Sequence, residues 1–380
     1  MYSFNKLNKL LDRFEEMKIP SFDIEVRYHG ETVFRRMHGY SDYDKKVKIK
    51  GGERYYMYSC SKPITCCAAL VLFERGKLSL EDKLCKYLPE FENMHVRDSF
   101  DGKLRPAVRR ITIEDLFTMC AGFTYDLNSE NLAAAKRELD GCETREVMKY
   151  LAKDPLVFDP SDKYNYSLCH DVLAAVVQVI AGEPFGSFVK REIFDRAGME
   201  NSTFSHTPKD LEGLCAQYNY NSSTGNYEKQ KNNPFYFGEK YESGGAGCIS
   251  TLEDYMRFAE ALRVGNVFLS DSTIELMSKN RFSPQKAADY SLYEYGYGYG
   301  LGVRCPFDGS SKATDIGWGG AAAAYLACDR KCDFTVFYAQ HVLNSPNQLL
   351  RNQIPPIIRH DLEIVEYGKY DFDGVTNETF

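Results

Sequence analysis

What most constrains the fold of this chain is where its two periodicities fall. Strand-like sequence stands at both ends, and helix-like sequence fills the middle. Residues 22–40, FDIEVRYHGETVFRRMHGY, read as two strands around a tight His29-Gly30 turn. Toward the other end, YGYGYGLGVR, ATDIGWGG, AAAAYLACD and DFTVFYAQH read as strands of one antiparallel sheet with short turns. Residues 85–240 between them read mostly as helix and loop. The simplest architecture is α+β: a sheet domain made from both termini, with a helical domain inserted. The boundaries follow as 1–84 with 245–380 for the sheet domain, and 85–244 for the helical one.

The helices announce themselves by spacing. Leu7, Leu10, Leu11 and Phe14 recur one helical turn apart with charges between them, which predicts an amphipathic surface helix. From Ile64 to Phe73 apolar residues lie nearly all round, which predicts a buried helix. Another runs from about Leu168 to Ala181 and stops at Gly182, with Pro184 beyond. Ser79 with Asp82, and Thr112 with Asp115, resemble capping boxes that open further helices, and TLEDYMRFAEAL reads as a capped helix. The stretch Asp42 to Gly52 and the polar tract at 217–233 read as loops, the second long enough to cover a site. The last twenty residues are acidic and uneven, and are expected to be loosely held.

Composition removes several classes. With 47 Lys+Arg against 54 Asp+Glu the net charge is −7, which offers no general attraction for the phosphates of a nucleic acid. At 43% hydrophobic and 27% charged the chain is neither disordered nor fibrous. No run approaches the roughly 18 uninterrupted apolar residues of a membrane-crossing helix. The start lacks the apolar region of a signal peptide, so a cytoplasmic chain is expected, without membrane partners. Twelve cysteines scattered through apolar segments read as small buried hydrophobes rather than a disulfide scaffold. Cys328 and Cys332 have no partners nearby in sequence and the seven histidines are dispersed, so no metal site is expected.

Three places have residues suited to chemistry. Ser59-Cys60-Ser61-Lys62 is an S-x-x-K, a pattern that recurs at Ser3–Lys6, Ser187–Lys190 and Ser283–Lys286. Context separates the first: Ser59 stands where a strand-like segment meets the buried helix. Three residues on a helix is the same face, so Lys62 reaches the Ser59 hydroxyl. Both lie in the first turn, where free N–H groups and the positive dipole end favour an alkoxide. Pro63 fits there because the first turn needs no N–H from it. The alternative is that Ser59 is an ordinary N-cap. The second place is Tyr166, just ahead of the Leu168–Ala181 helix, where it would project into a cleft or simply pack. The third is Trp318-Gly319-Gly320-Ala321, in which two glycines imply close approach of backbone to a ligand, or a turn beside a buried tryptophan.

In this order and at these distances the three resemble the serine β-lactamase and penicillin-binding-protein superfamily, whose signature begins with S-x-x-K. YSCSKPIT, LSLEDKLCKYLPEF, ITIEDLFTMCAGF, YSLCHDVLAAVVQVIAG, SGGAGCISTLEDYMRFAEAL and WGGAAAAYLACD look like blocks of that family, across most of residues 20–340. The nearest likeness is to its family VIII carboxylesterases. The resemblance implies a β-lactamase-like fold with the site between sheet and helical domains, an acyl-enzyme mechanism and no cofactor. It implies Ser59 as nucleophile, with Lys62 and Tyr166 sharing its proton. The backbone N–H groups of Ser59 and Ala321 would form the oxyanion hole, with Trp318, Gly319, Gly320 and Leu168 about the substrate. The chain departs from the lactamase pattern at two points. Leu168 stands where the Y-x-N motif has its amide, and Trp318 where K-T-G has its lysine. That favours a small neutral ester or amide as substrate and an esterase as the activity. The same site would also serve an acyltransferase or D-amino-acid peptidase, or a weak β-lactamase, and a non-catalytic ligand-binding module is the reading from another class. No G-x-S-x-G is present to support an α/β-hydrolase. Oligomeric state is left open.

Overall fold

The computed structural model describes residues 2–364 apart from Asn232 and Asp289. Its centre is a five-stranded antiparallel sheet in the order Tyr325–Asp329, Phe334–Gln340, Ser21–Tyr28, Glu31–Asp42, Val47–Lys48. The two ends of the chain therefore meet at the middle of one sheet, with Phe22 opposite Gln340 and Tyr28 opposite Phe334. The first hairpin turns at His29 and Gly30, whose φ of 51° and 83° suit the twist of the flanking strands. Alternation puts Phe22, Ile24 and Val26 on one face. There they pack with Leu7, Leu10, Leu11 and Phe14 of the Asn5–Glu16 helix and with Ile354 and Ile358 of the Ile354–Asp361 helix. Each such side chain contributes about 1.5–3 kcal/mol on full burial, so this stripe holds the N-terminal helix, whose start has no side-chain cap. Across the sheet lies the Leu252–Val264 helix, with Tyr255 stacked on Phe337 at 4.1 Å between ring centroids.

The buried helix is Ser61–Glu74, and every residue from Ser61 to Leu72 is shut off from solvent. It packs on Cys169–Ala181, which ends at Gly182 with φ 69° as its sequence predicts. Thr112 and Asp115 form a reciprocal capping box on the Ile113–Phe117 helix. Ser79 and Asp82 do not start a helix. The Asp82 carboxylate does accept from the Ser79 N–H at 2.9 Å, but the chain then bridges to Thr112 and the Leu84 N–H is taken by Ile111 O. Long-range partners claim the backbone groups that a helix would need.

Two other expectations are corrected. The polar tract at 217–233 is not a loop: Gln217–Asn221 and Asn226–Gln230 form a hairpin, and Val342–Leu343 adds a parallel strand. Its alternation is carried by Tyr218 and Tyr220 among polar residues, and its third strand lies far along the chain, so composition concealed it. The hairpin is tied to the sheet region: Tyr227 donates to Met17 O at 2.7 Å and Lys229 pairs with Asp42 at 2.9 Å. The strands near the C-terminus do not form one sheet either. Tyr297–Tyr299 and Arg304–Pro306 make a separate ladder, linked to Tyr325–Asp329 through single bridges at 316–319. Glycines 298 and 300 lie so close to Asn280 and to Met277 O that a Cβ would overlap them, and this ladder leans there rather than along the sheet.

All twelve cysteines are free thiols and eleven are buried, as small apolar fillers. Among the described residues no single helix is long and apolar enough to cross a membrane. Most of the acidic C-terminal stretch, 365–380, lies outside the described residues.

Candidate active site

One short strand pair delivers two loops to the same place. Arg54–Tyr56 runs antiparallel to Ile249–Thr251. The first strand leads into a single 3-10 turn, Tyr58–Cys60, and then the Ser61–Glu74 helix. The second is preceded by Ser243–Cys248. Cross-links fix the two: the Cys248 N–H donates to Ser61 Oγ at 2.9 Å, Thr65 Oγ1 donates to Gly244 O at 2.7 Å, and Tyr255 OH to Cys60 O at 2.5 Å. Ser59 is not the N-cap of this helix, because Cys60 holds that position and no side chain caps it. The residue before Ser59 carries strain: Tyr58 has φ 48°, in a region that non-glycine residues rarely adopt. Its buried ring packs edge-on against Phe235, and its hydroxyl bonds Gln217 Oε1 from the hairpin.

Lys62, one turn beyond Ser59, is fully buried. Its Nζ lies 2.7 Å from Gly245 O, 3.1 Å from Ser59 Oγ and 3.4 Å from Tyr125 OH. From the other side Tyr166 OH donates to Ser59 Oγ at 2.5 Å. Tyr166 is held in place by Asn165, whose N–H donates to Met119 O and whose side-chain amide donates to Phe123 O at 2.7 Å. Three rings then stack in a row: Tyr125 on Tyr166 at 5.5 Å, and Tyr166 on Trp318 at 5.9 Å. Trp318 Nε1 donates to Tyr166 OH at 3.4 Å. Ser59, Lys62, Tyr166 and Trp318 thus come together in one place.

The two glycines have a different reason from the expected one. A Cβ on Gly320 would sit 2.5 Å from Met57 O, and one on Gly319 would sit 2.7 Å from Arg351 Nη2. The close approach is to the protein's own backbone and to a buried guanidinium. It seats the 320–324 turn beside the Met57–Ser59 segment, where Ala321 packs with the cluster of Tyr58, Ala246 and Ala322. Leu168 stands apart: it is buried in the main apolar cluster, its N–H donating to Thr124 O.

Sequence reasoning passed over Tyr125, Gly245 and Asp171. The double glycine of Ser243-Gly244-Gly245 was the available signal, since Gly245 faces Asp171 Oδ2 and Tyr125 too closely for any Cβ. Asp171 is fully enclosed and accepts from Ser243 Oγ at 2.6 Å and Tyr241 OH at 3.1 Å. Burial pushes its carboxyl up, while Ser243, Lys62 and Tyr241 pull it down. Burial, with Asp171 and Tyr166 nearby, pushes the Tyr125 phenol well up, so this phenol keeps its proton. A hydroxyl placed between an amine and a phenol, at the start of a buried helix, is an arrangement suited to nucleophilic attack with proton transfer. Among the described residues no group of His, Cys, Asp and Glu is gathered to hold a metal ion.

Known proteins share this build. Esterase EstB of Burkholderia gladioli is 28% identical over 280 residues, which span 67% of this chain and 69% of that protein. Among solved structures, EstCE1, a hydrolase with promiscuous acyltransferase activity, superposes with a TM-score of 0.76 at 23% identity, covering 94% of this chain and 99% of that one. Simvastatin synthase (LovD) from Aspergillus terreus superposes at 0.77 with 20% identity, covering 95% and 98%. These two likenesses show the fold. The Beta-lactamase family model matches residues 7–352, nearly the whole described chain, and this protein belongs to the Beta-lactamase family, with an esterase among its relatives.

Proposed function

We propose that this protein is a serine esterase that cleaves small, neutral carboxylic esters through an acyl-enzyme on Ser59. The observation that carries this reading is the double approach to Ser59 Oγ, by Lys62 Nζ at 3.1 Å and by Tyr166 OH at 2.5 Å. Gly245 O can only accept, so it claims an N–H of Lys62 and leaves the amine turned toward the serine. In the forward step Ser59 Oγ attacks the acyl carbonyl carbon and its proton passes to Lys62. The oxyanion gathers on the N–H groups of Ser59 and Ala321. As the tetrahedral adduct collapses, Tyr166 gives its proton to the departing alkoxide and is reprotonated from Lys62. Water enters by the reverse proton route and releases the acid.

A neutral substrate is supported by Trp318, which occupies the place where related lactamases and peptidases have a lysine. Tyr125, Tyr166, Trp318 and Phe235 pack on one another beside Ser59, so the indole stands in an aromatic row at that place. The test is a panel of p-nitrophenyl esters of rising chain length, run beside nitrocefin and a D-alanyl peptide, with fluorophosphonate labelling of wild type and Ser59→Ala. Ester turnover and labelling that vanish together in Ser59→Ala support the reading; undiminished labelling in that variant removes it. Slow acylation of Ser59 without turnover would favour a ligand-binding module instead. Acyl transfer to an alcohol is the second reading, favoured by the likeness to a hydrolase with promiscuous acyltransferase activity. Ester products that appear when an acceptor alcohol is added distinguish it from simple hydrolysis.

A further inference from the structure

Arg351 is buried at the start of the C-terminal helical segment, and among the described residues no carboxylate pairs with it. The neighbouring buried arginines differ: Arg304 is paired with Asp315 at 2.8 Å, and Arg359 with Asp315 and Asp329. An enclosed guanidinium without a counter-charge is expensive, and here the hydrogen bonds of its Nη1 both go to one object. Its Nη1 donates to Gly320 O at 2.7 Å and to Ala324 O at 2.9 Å. Its Nη2 lies against Gly319, where a Cβ would come within 2.7 Å. Those carbonyls are the two ends of the turn that contains Ala321. The turn is also closed on itself, by Gly320 N–H to Ala324 O at 2.8 Å and Ala323 N–H to Gly320 O at 3.1 Å. Among the described residues the Ala321 N–H donates to no backbone carbonyl. Ala323 takes a φ of 71°, a strained value for alanine that an outside hold helps to maintain.

We infer that Arg351 is a positioning residue of the oxyanion hole: it grips the 320–324 turn by both carbonyl ends, aims the Ala321 N–H at Ser59, and supplies uncompensated positive charge behind it. The inference rests on the proposed reading of Ser59 as nucleophile and of the Ala321 N–H as oxyanion donor. Guanidinium suits the task because the two N–H groups of Nη1 are fixed in the plane of the group and each takes one carbonyl, whereas the N–H groups of an ammonium rotate freely. Polarising the two carbonyls of the turn also draws charge from its peptide groups, which makes the free N–H a better donor.

The test compares wild type, Arg351→Lys and Arg351→Met by three measurements: ester kinetics, affinity for an arylboronic acid that forms a tetrahedral adduct on serine, and thermal unfolding. In Arg351→Met, kcat/KM and boronate affinity are expected to fall in parallel by about ten- to a hundredfold while KM changes little, since only the tetrahedral species places charge at the turn. Arg351→Lys keeps the charge and loses the fixed pair of N–H groups on Nη1, so it should fall between the two and serves alone if the methionine variant does not fold. A general loss of structure would lower the melting temperature and raise KM without selecting against the boronate, and that pattern overturns the inference. So does a folded variant with unchanged boronate affinity. If wild type itself is not labelled at Ser59 by a fluorophosphonate, the hydrolase reading fails and this inference with it; labelling of wild type with unaltered Arg351 variants overturns the inference alone.

Discussion

Replacing Tyr166 by Phe isolates one proton. The ring is held between Tyr125 at 5.5 Å and Trp318 at 5.9 Å, so phenylalanine keeps the stack. What disappears is the hydroxyl that donates to Ser59 Oγ at 2.5 Å and accepts from Trp318 Nε1 at 3.4 Å. As a static contact such a hydrogen bond is worth about 0.5–1.5 kcal/mol net, roughly a two- to thirteenfold effect on a rate. As the acid that protonates the departing alkoxide it is worth about 10²–10⁴ in rate, or about 3–5.5 kcal/mol. The two magnitudes do not overlap, so the size of the change identifies the role. Hydrolysis of a p-nitrophenyl ester and of the matching alkyl ester is measured for both proteins, with melting temperatures as control. The expected result is a loss of about two to four decades in kcat/KM with KM nearly unchanged, larger for the alkyl ester because its alkoxide needs a proton more. A folded Tyr166→Phe protein within about thirteenfold of wild type on both esters would refute the assignment of the leaving-group proton to this phenol.

Two further outcomes follow from the geometry. Gly245→Ala places a Cβ 2.5 Å from Asp171 Oδ2 and 3.1 Å from Tyr125 OH, which displaces the carbonyl that holds Lys62. Activity should drop by about tenfold to a hundredfold through misalignment, with a folded protein by circular dichroism; full activity would show that the Gly245 carbonyl does not orient the amine. Burial holds His341 down to about 4, and its Nε2 accepts from the Tyr56 N–H, a bond that protonation would break. Since its ordinary value is 6.5, the unfolded chain takes up the proton first as pH falls. Stability from the neutral ring is therefore complete above about pH 6.5 and is lost progressively toward about pH 4, up to about 3 kcal/mol. Urea unfolding at pH 7.5, 6 and 5 should show that fall in wild type and a smaller one in His341→Gln; equal slopes would exclude His341 as its source.

Much of the site was legible because its parts are local. Ser59 and Lys62 are three residues apart, across the junction of the Tyr58–Cys60 turn and the Ser61–Glu74 helix, and that short spacing leaves them 3.1 Å apart. Tyr166 and Trp318 were legible only as members of an ordered set, since neither a tyrosine nor a tryptophan before two glycines is distinctive by itself. Tyr125 carried no local signal, because what brings it to the candidate site is its stacking on Tyr166 and its contact with Lys62, both far away along the chain. Tyr58 was equally hidden: nothing in its neighbours in sequence announces a left-handed backbone, and the groups that hold it come from 217 and 235.

The fold divides along the same line. By itself the amino-acid sequence determined the elements whose evidence is periodic or local: the Asn5–Glu16 stripe, the His29-Gly30 turn, the Ser61–Glu74 helix and the glycine stop at 182. These depend on which face is apolar and on which φ a residue tolerates, and both are properties of a few adjacent residues. Only the tertiary structure decided that 217–230 would pair as strands beside Val342–Leu343 and that Ser79 would close a turn rather than open a helix. It alone decided that Gly320 would press on Met57 O and that Arg351 would lie behind that turn. In each of these the deciding partner sits far away along the chain, and a hydrogen-bonding group goes to whichever partner folding brings within reach.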